Sequence, residues 1–222
     1  TLNLIKILTA DLQIQRENIL VSFSGNDGFH LHAANSAYNT LGSKERSDLS
    51  DYIMFRRAIP EAFGFKKANP SRSLFPELAE SGWRGRVAAD LFGSKSNRSK
   101  GVTKIISDGY YAYRQRLEEM GKNSIGIRID PNVTVDIHRI FRLEGSLNSK
   151  SGLTKLACEN IEKFSPYTDA CLIDEKSVEV LAKCPIVFRL KNKKFGPYAS
   201  ETVSVPKFTA VYMICKGIAN LA

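Results

Sequence analysis

The chain has 222 residues, 43% of them apolar, which is enough to bury the core of one large or two small globular domains without disulfide or metal staples. Its 32 Lys and Arg against 23 Asp and Glu leave a net charge of +9, which favours a polyanionic partner whose binding weakens steeply with salt. No apolar run approaches the roughly 18 residues of a membrane helix, so no membrane is expected among the partners.

The chain opens at Thr1 inside a helical pattern, with Leu4, Ile5, Leu8 and Leu12 on one face. A start without methionine inside an element reads as a chain truncated at its N-terminus. Residues 19–24 read as a strand, Gly25-Asn26-Asp27-Gly28 as a tight turn and residues 29–32 as a second strand. Alternation puts Phe29 and Leu31 on one face of this hairpin and His30 and His32 on the other.

From residue 43 to about 121 the pattern turns helical and basic. Ser43 is placed to cap a helix carrying Leu49, Tyr52, Ile53 and Phe55, with Pro60 near its end. Residues 76–91 read as a second helix with Pro76 in its first turn, and residues 102–120 as a third that stops at Gly121. Between those two, residues 93–101 read as a polar, basic loop: a solvated connection first, a nucleic-acid contact second.

Further on, Ile127 and Ile129 end a short strand, Asp130-Pro131-Asn132 turns the chain, and Val133, Ile137, Ile140 and Phe141 recur at helical spacing. An amphipathic helix is predicted there, with Asp136 and Arg139 three apart and joined in a structural ion pair. Asp130 stands outside that helix, where its carboxylate could reach a cleft and offer a hard cation an oxygen ligand. On pattern alone a turn-forming aspartate is the commoner explanation. Arg142, a Gly145-Ser146-Leu147-Asn148 turn and Lys150 follow, a grouping that suits a polyphosphate.

Cys158, Cys171, Cys184 and Cys215 are far apart, lack a C-x-x-C pair and sit among apolar neighbours. They read as buried structural thiols in a reducing cytosol. In the last third, residues 178–180, 186–190 and 202–205 carry strand-type residues, residues 191–194 a basic hairpin turn, and residues 208–221 a closing apolar helix.

Two segments taken together in this order resemble the small catalytic subunit of archaeal and eukaryotic DNA primase. One is Ser24-Gly25-Asn26-Asp27-Gly28-Phe29-His30, matching that family's Ser-Gly-x-x-Gly-x-His hairpin motif; the other runs from Asp130 through Asn148 to Leu153. The tail, with Val203-Ser204-Val205-Pro206 and the helix from Thr209 to Gly217, is similar to the family's C-terminal end.

The resemblance implies an α/β (α+β) fold, with a mixed sheet holding the cleft and a helical insertion. Residues 1–42 and 122–222 would form a partial catalytic core and residues 43–121 the insertion. It also implies primer synthesis on single-stranded DNA from nucleoside triphosphates, with Mg²⁺ or Mn²⁺ as cofactor and the primase large subunit as partner. Asp130 matches the third of the family's metal-binding carboxylates; the other two are expected upstream of this chain, so the 222 residues alone are expected to be inactive. Ser24 and His30 are expected on the triphosphate, Arg142 and Lys150 on phosphate charge, and Asn148 at the nucleotide in place of the family's histidine. Asp27 stands where many members have arginine. A structural zinc would belong to a missing segment, and the location would be cytoplasmic and nucleoid-associated. The alternatives are a non-catalytic nucleic-acid-binding or assembly subunit derived from the primase fold, and a stand-alone primase-polymerase.

Overall fold

The computed structural model describes residues 1–34, 37–67 and 70–222. They divide into two units, one of residues 1–16 and 35–139 and the other of residues 17–34 and 140–222. Residues 43–121 lie wholly in the first unit, and Ala68 and Asn69 within that stretch are outside the described residues.

The first unit is helical. Helix α1 (Leu2–Ala10) buries Ile5, Ile7 and Leu8. Asp11 follows it and accepts both guanidinium Nη groups of Arg86, at 2.7 and 2.8 Å, and the hydroxyl of Tyr52 at 2.8 Å. That carboxylate, whose side chain is only 4% exposed, ties α1 to α2 (Ser43–Ile53) and α3 (Gly82–Phe92). Ser43 is the first helical residue of α2, and Gly42 takes the capping position.

Helix α3 starts six residues later than the sequence pattern predicts, because the carbonyls ahead of it are already engaged. Arg98 donates to the carbonyl oxygens of Phe75 (2.7 Å) and Pro76 (3.0 Å), and Arg84 to that of Leu74 (2.9 Å). These bonds pin Phe75, whose backbone is extended, and its neighbours from outside the segment. The predicted basic loop is instead the start of α4 (Lys95–Asp108). Its Gly101 is a packing glycine, since a Cβ there would lie 2.6 Å from the Phe92 ring. The single predicted third helix is in fact two, because Gly109 adopts φ +89° between α4 and α5 (Tyr110–Asn123). Phe75, Val87, Ala88 and Leu117 are fully buried in the core, and the buried Tyr113 hydroxyl donates to the Phe63 carbonyl at 3.2 Å.

After α5 the expected strand is absent. Ile125, Ile127 and Ile129 pack on the core from an extended segment, with Ile127 N–H donating to the Ile53 carbonyl at 3.2 Å. The predicted amphipathic helix stops after one turn, α6 (Pro131–Val135). Asp136 ends it by turning extended and accepting the His138 N–H at 3.0 Å, a local bond that competes with the helical one.

The second unit carries the strands. β1 (Ile19–Phe23) pairs antiparallel with β2 (Phe29–Ala33), Phe23 facing Phe29, and on its other edge with β3 (Leu156–Ala157). After the short α7 (Pro166–Asp169), β4 (Ser177–Cys184) buries alternate residues Val180, Ala182 and Cys184, while Leu181 faces out. β5 (Phe188–Leu190) and β6 (Lys193–Phe195) make a hairpin whose turn residues Lys191 and Asn192 both have positive φ. β7 (Tyr198–Pro206) pairs with β4 and leads into α8 (Lys207–Cys215), which buries Phe208, Thr209, Ala210 and Met213.

That last helix ends short of its predicted limit. Gly217 turns the chain at φ +70°, and β8 (Ala219–Leu221) returns to pair with β4. The α+β class therefore stands, and every strand pair among the described residues is antiparallel, so no mixed sheet is present among them. Cys158, Cys171 and Cys184 are buried free thiols, and Cys215 is half-buried. Among the described residues, no helix is long and apolar enough to cross a membrane.

Candidate functional site

The loop between β1 and β2 is organised by Ser24. Its hydroxyl accepts the N–H groups of Asn26 and Gly28, both at 3.3 Å, and its own N–H donates to the Gly28 carbonyl at 2.8 Å. A small hydroxyl side chain suits this position because it can serve two turn amides at once. Gly25 sits at φ +87° with no room for a side chain: a Cβ would meet Asn148 Cβ at 3.0 Å and the Leu153 carbonyl oxygen at 3.1 Å.

What fills that space is the second sequence motif. Residues 145–154 fold back on themselves, with the Asn148 N–H donating to the Leu153 carbonyl at 2.8 Å and Leu147 bridging to Thr154. Asn148 is 8% exposed; its Oδ1 accepts the Lys150 N–H at 2.9 Å and its Nδ2 donates to the Ser24 carbonyl at 3.5 Å. The Ser151 hydroxyl donates to the Gly25 carbonyl and accepts the Leu153 N–H at 3.1 Å. The Ser24 motif and the Asn148 end of the second motif, more than a hundred residues apart, thus form one bonded platform in the second unit.

Cations stand around it. Lys150 is exposed and makes no ion pair among the described residues. Arg142, also exposed, closes its loop by donating to the Leu147 carbonyl at 2.8 Å. Lys155, only 4% exposed, donates to the Arg142 carbonyl at 2.7 Å and so fixes the backbone that carries Arg142. Lys216, from the end of α8, donates to Asn26 Oδ1 at 3.3 Å. Asp27 is exposed and accepts the Asn26 side-chain amide, so its charge stays at the loop tip.

His30 and His32 share a face of β2, 6.5 Å apart between ring centroids, and Phe141 stands edge-on to both at 5.7 and 4.9 Å. Burial, followed by the nearby Lys155 charge, lowers the His32 pKa against a smaller opposing pull from Glu144. Its ring therefore favours the neutral form.

Asp130 lies in the first unit, as the N-cap of α6. Its Oδ1 accepts the Asn132 N–H at 3.1 Å and its Oδ2 pairs with Arg139 at 3.4 Å, with half of the side chain exposed. Arg139 thus pairs with Asp130 and not with Asp136, because without the longer helix the expected three-residue spacing no longer brings Asp136 and Arg139 together. The apolar stripe predicted for that helix is likewise undone, with Ile140 94% exposed. Among the described residues no group of three or more His, Cys, Asp or Glu side chains is placed to hold a metal ion. Mg²⁺ usually takes one or two carboxylates plus waters and substrate oxygens. Asp130, a half-exposed oxygen donor, fits as one member of such a set and is not a site alone.

Sequence reasoning assigned no role to Ser151, Lys155 or Lys216, and gave Phe141 only a place in the apolar stripe of the predicted helix. For Ser151 the signal was its place inside the small-residue turn. A buried lysine in β-type surroundings, such as Lys155, leaves no comparable mark.

Comparison with known proteins sets this platform in a family. The family model described as DNA primase small subunit matches residues 3–157. The chain belongs to the DNA primase small subunit family. It is 56% identical over 217 residues to the DNA primase small subunit PriS of Nitrosopumilus maritimus, covering 98% of this chain and 58% of that protein. To the PriS of Cenarchaeum symbiosum it is 48% identical over 219 residues, covering 99% and 59%, and to that of Archaeoglobus fulgidus 28% over 222 residues, covering 96% and 62%. The chain therefore spans about three fifths of the length of these DNA primase small subunits.

Proposed function

We propose that this chain is part of the catalytic small subunit of a DNA primase, which makes short primers on single-stranded DNA during replication. The observation that carries this reading is the bonded platform: the Ser24 hairpin and the Asn148 turn are held together by Ser151 and Asn148 in a member of the primase family. Such a platform holds the Ser24 hairpin beside the exposed cations of Arg142 and Lys150, which suit a triphosphate.

In the proposed reaction the 3′-hydroxyl of the growing primer attacks the α-phosphate of the incoming nucleoside triphosphate, and pyrophosphate leaves. Ser24 and His30 would contact the triphosphate, and Arg142 and Lys150 would balance its charge. Asn148 would act at the nucleotide chiefly by holding the hairpin in place, since both ends of its amide are bonded. Asp130 would supply one ligand for Mg²⁺ or Mn²⁺, which when bound stabilises the attacking and leaving oxygens. Two further carboxylates are proposed to come from outside the 222 residues, so this piece alone would be inactive. The partners would be the primase large subunit, single-stranded DNA and nucleoside triphosphates, in a cytoplasmic, nucleoid-associated setting.

The test is primer synthesis by the full-length protein with its large subunit, on a single-stranded template with Mg²⁺ or Mn²⁺. Lys150→Ala and His30→Ala should raise KM for the nucleoside triphosphate while the protein melts as wild type. Unchanged kinetics in both variants would remove the platform from the reaction.

A further inference from the structure

The helical unit contains a half-open pocket of about 640 Å³, between the chain that follows α2 and the chain on either side of the α5 C-terminus. Its wall carries Arg56, Arg57, Arg114, Lys122 and Arg128 against one acid, Glu118. Two of these cations are already matched: Arg57 pairs with Asp51 at 3.1 Å, and Arg114 pairs with Glu118 at 3.1 Å. Arg56, Lys122 and Arg128 make no ion pair among the described residues. Three unmatched cations around one pocket repel each other until an anion joins them.

The backbone holds this arrangement in place. Phe55 and Arg57 both adopt left-handed φ, 52° and 56°, which for a non-glycine residue costs about 1–3 kcal/mol each and persists only where the surroundings enforce it. Arg56 lies between them on the pocket wall. Gly126 allows the far wall to close in, because a Cβ there would fall 2.6 Å from the Met54 carbonyl oxygen. Met54, Ile59 and Ile127 add an apolar lining.

A ligand with both anionic groups and a flat apolar part matches such a wall, and the volume lies within the roughly 300–1,000 Å³ of small-molecule pockets. The unmatched cations come from two separate segments, Arg56 after α2 and Lys122 with Arg128 around the α5 C-terminus, and the pocket is half-open. This suits a chain that enters and leaves better than a single triphosphate enclosed by one loop. We propose that the pocket is a nucleic-acid site, built from residues other than those of the platform, where Arg56, Lys122 and Arg128 hold phosphates of single-stranded DNA and a base rests on Ile59 and Ile127. The proposal rests on the primase reading only for the identity of the strand as template.

The test follows binding of a fluorescein-labelled single-stranded oligodeoxynucleotide to the full-length protein by anisotropy across a salt series, with no turnover required. R56A/K122A/R128A should weaken binding and make the plot of log affinity against log salt shallower by about 2, at roughly 0.7 ions per phosphate contact. Nucleoside triphosphate affinity should stay at the wild-type value. Arg128→Gln, which spares the fold if the triple variant does not melt as wild type, should reduce the slope by about 0.7. A control triple, K95A/K100A/R116A, should change the slope less. An unchanged slope, an equal loss in the control, or a loss of triphosphate rather than strand binding would each overturn the site. Failure of the primase reading shows separately, as absent primer synthesis with strand binding intact.

Discussion

The hydroxyl of Ser151 donates to the carbonyl of Gly25, a bond that spans 126 positions of sequence and holds the two motif loops to each other. Ser151 is buried and also accepts the Leu153 N–H, so truncation leaves two backbone groups without their partner. Ser151→Ala should destabilise the protein by about 1–3 kcal/mol, and it should raise KM for nucleoside triphosphates by loosening the Ser24 loop. Chemical denaturation and primer-synthesis kinetics measure the two effects. Wild-type values in both would mean that the loops hold together without it.

Asp130 carries two separable roles. As an N-cap it accepts the Asn132 N–H, so Asp130→Ala should cost about 1 kcal/mol of stability. Asparagine caps a helix as well as aspartate does, so Asp130→Asn should melt close to wild type. Both variants should abolish primer synthesis if the carboxylate binds metal. Activity surviving in Asp130→Asn would leave only the capping role.

Lys155 connects the Arg142 backbone to the electrostatics of His32. Lys155→Met should raise the His32 pKa, since it removes a cation that lowers it, with burial still holding the value below the ordinary 6.5. An imidazole whose pKa is lowered by folding contributes stability that is whole above pH 6.5 and is lost as pH falls through the folded value. Proton NMR titration of His32 and melting curves between neutral and mildly acid pH check both statements. A His32 titration identical in the two proteins would exclude Lys155 as a source of the shift.

The Asp11, Tyr52 and Arg86 cluster predicts alkaline behaviour. Burial first, then the hydrogen bond and charge of Asp11, push the Tyr52 hydroxyl up to about 12 from 10.0. Its contribution to stability is whole below pH 10 and disappears as pH rises through about 12. Tyr52→Phe should cost about 1 kcal/mol at neutral pH and should lose less on going to high pH than wild type does. Equal alkaline losses in the two proteins would assign the effect to another group.

The hairpin of β1 and β2 was legible because strand alternation and a glycine turn agree with each other along 15 positions of chain, from Ile19 to Ala33. The pairing of the Ser24 and Asn148 motifs was legible only as order in sequence; their physical joining depends on Ser151 and Gly25, and no spacing rule exposes that. Boundaries failed where side chains outcompeted local preference. Arg98 engages the Phe75 and Pro76 carbonyls at the start of the predicted helix, and Gly101 makes room for Phe92 instead of opening a loop. Around residues 136–141 the helical period was present, but Ile137 and Ile140 stay exposed, and the Asp136 side chain captures its own downstream backbone. Periodicity signals a helix only when a surface exists to receive its stripe.

The edge pairing of β1 with β3 also matters while the chain is being made. β1 and β2 are synthesised more than a hundred residues before Leu156 and Ala157 exist. At about 5–20 residues per second that is a wait of roughly 5–25 seconds. During it, the hairpin has an open β1 edge and Phe23 and Phe29 lack the Phe164 ring that later packs against both. The platform loops therefore form late in synthesis, and a nascent chain stalled before β3 would present an unpaired strand to chaperones or to its neighbours.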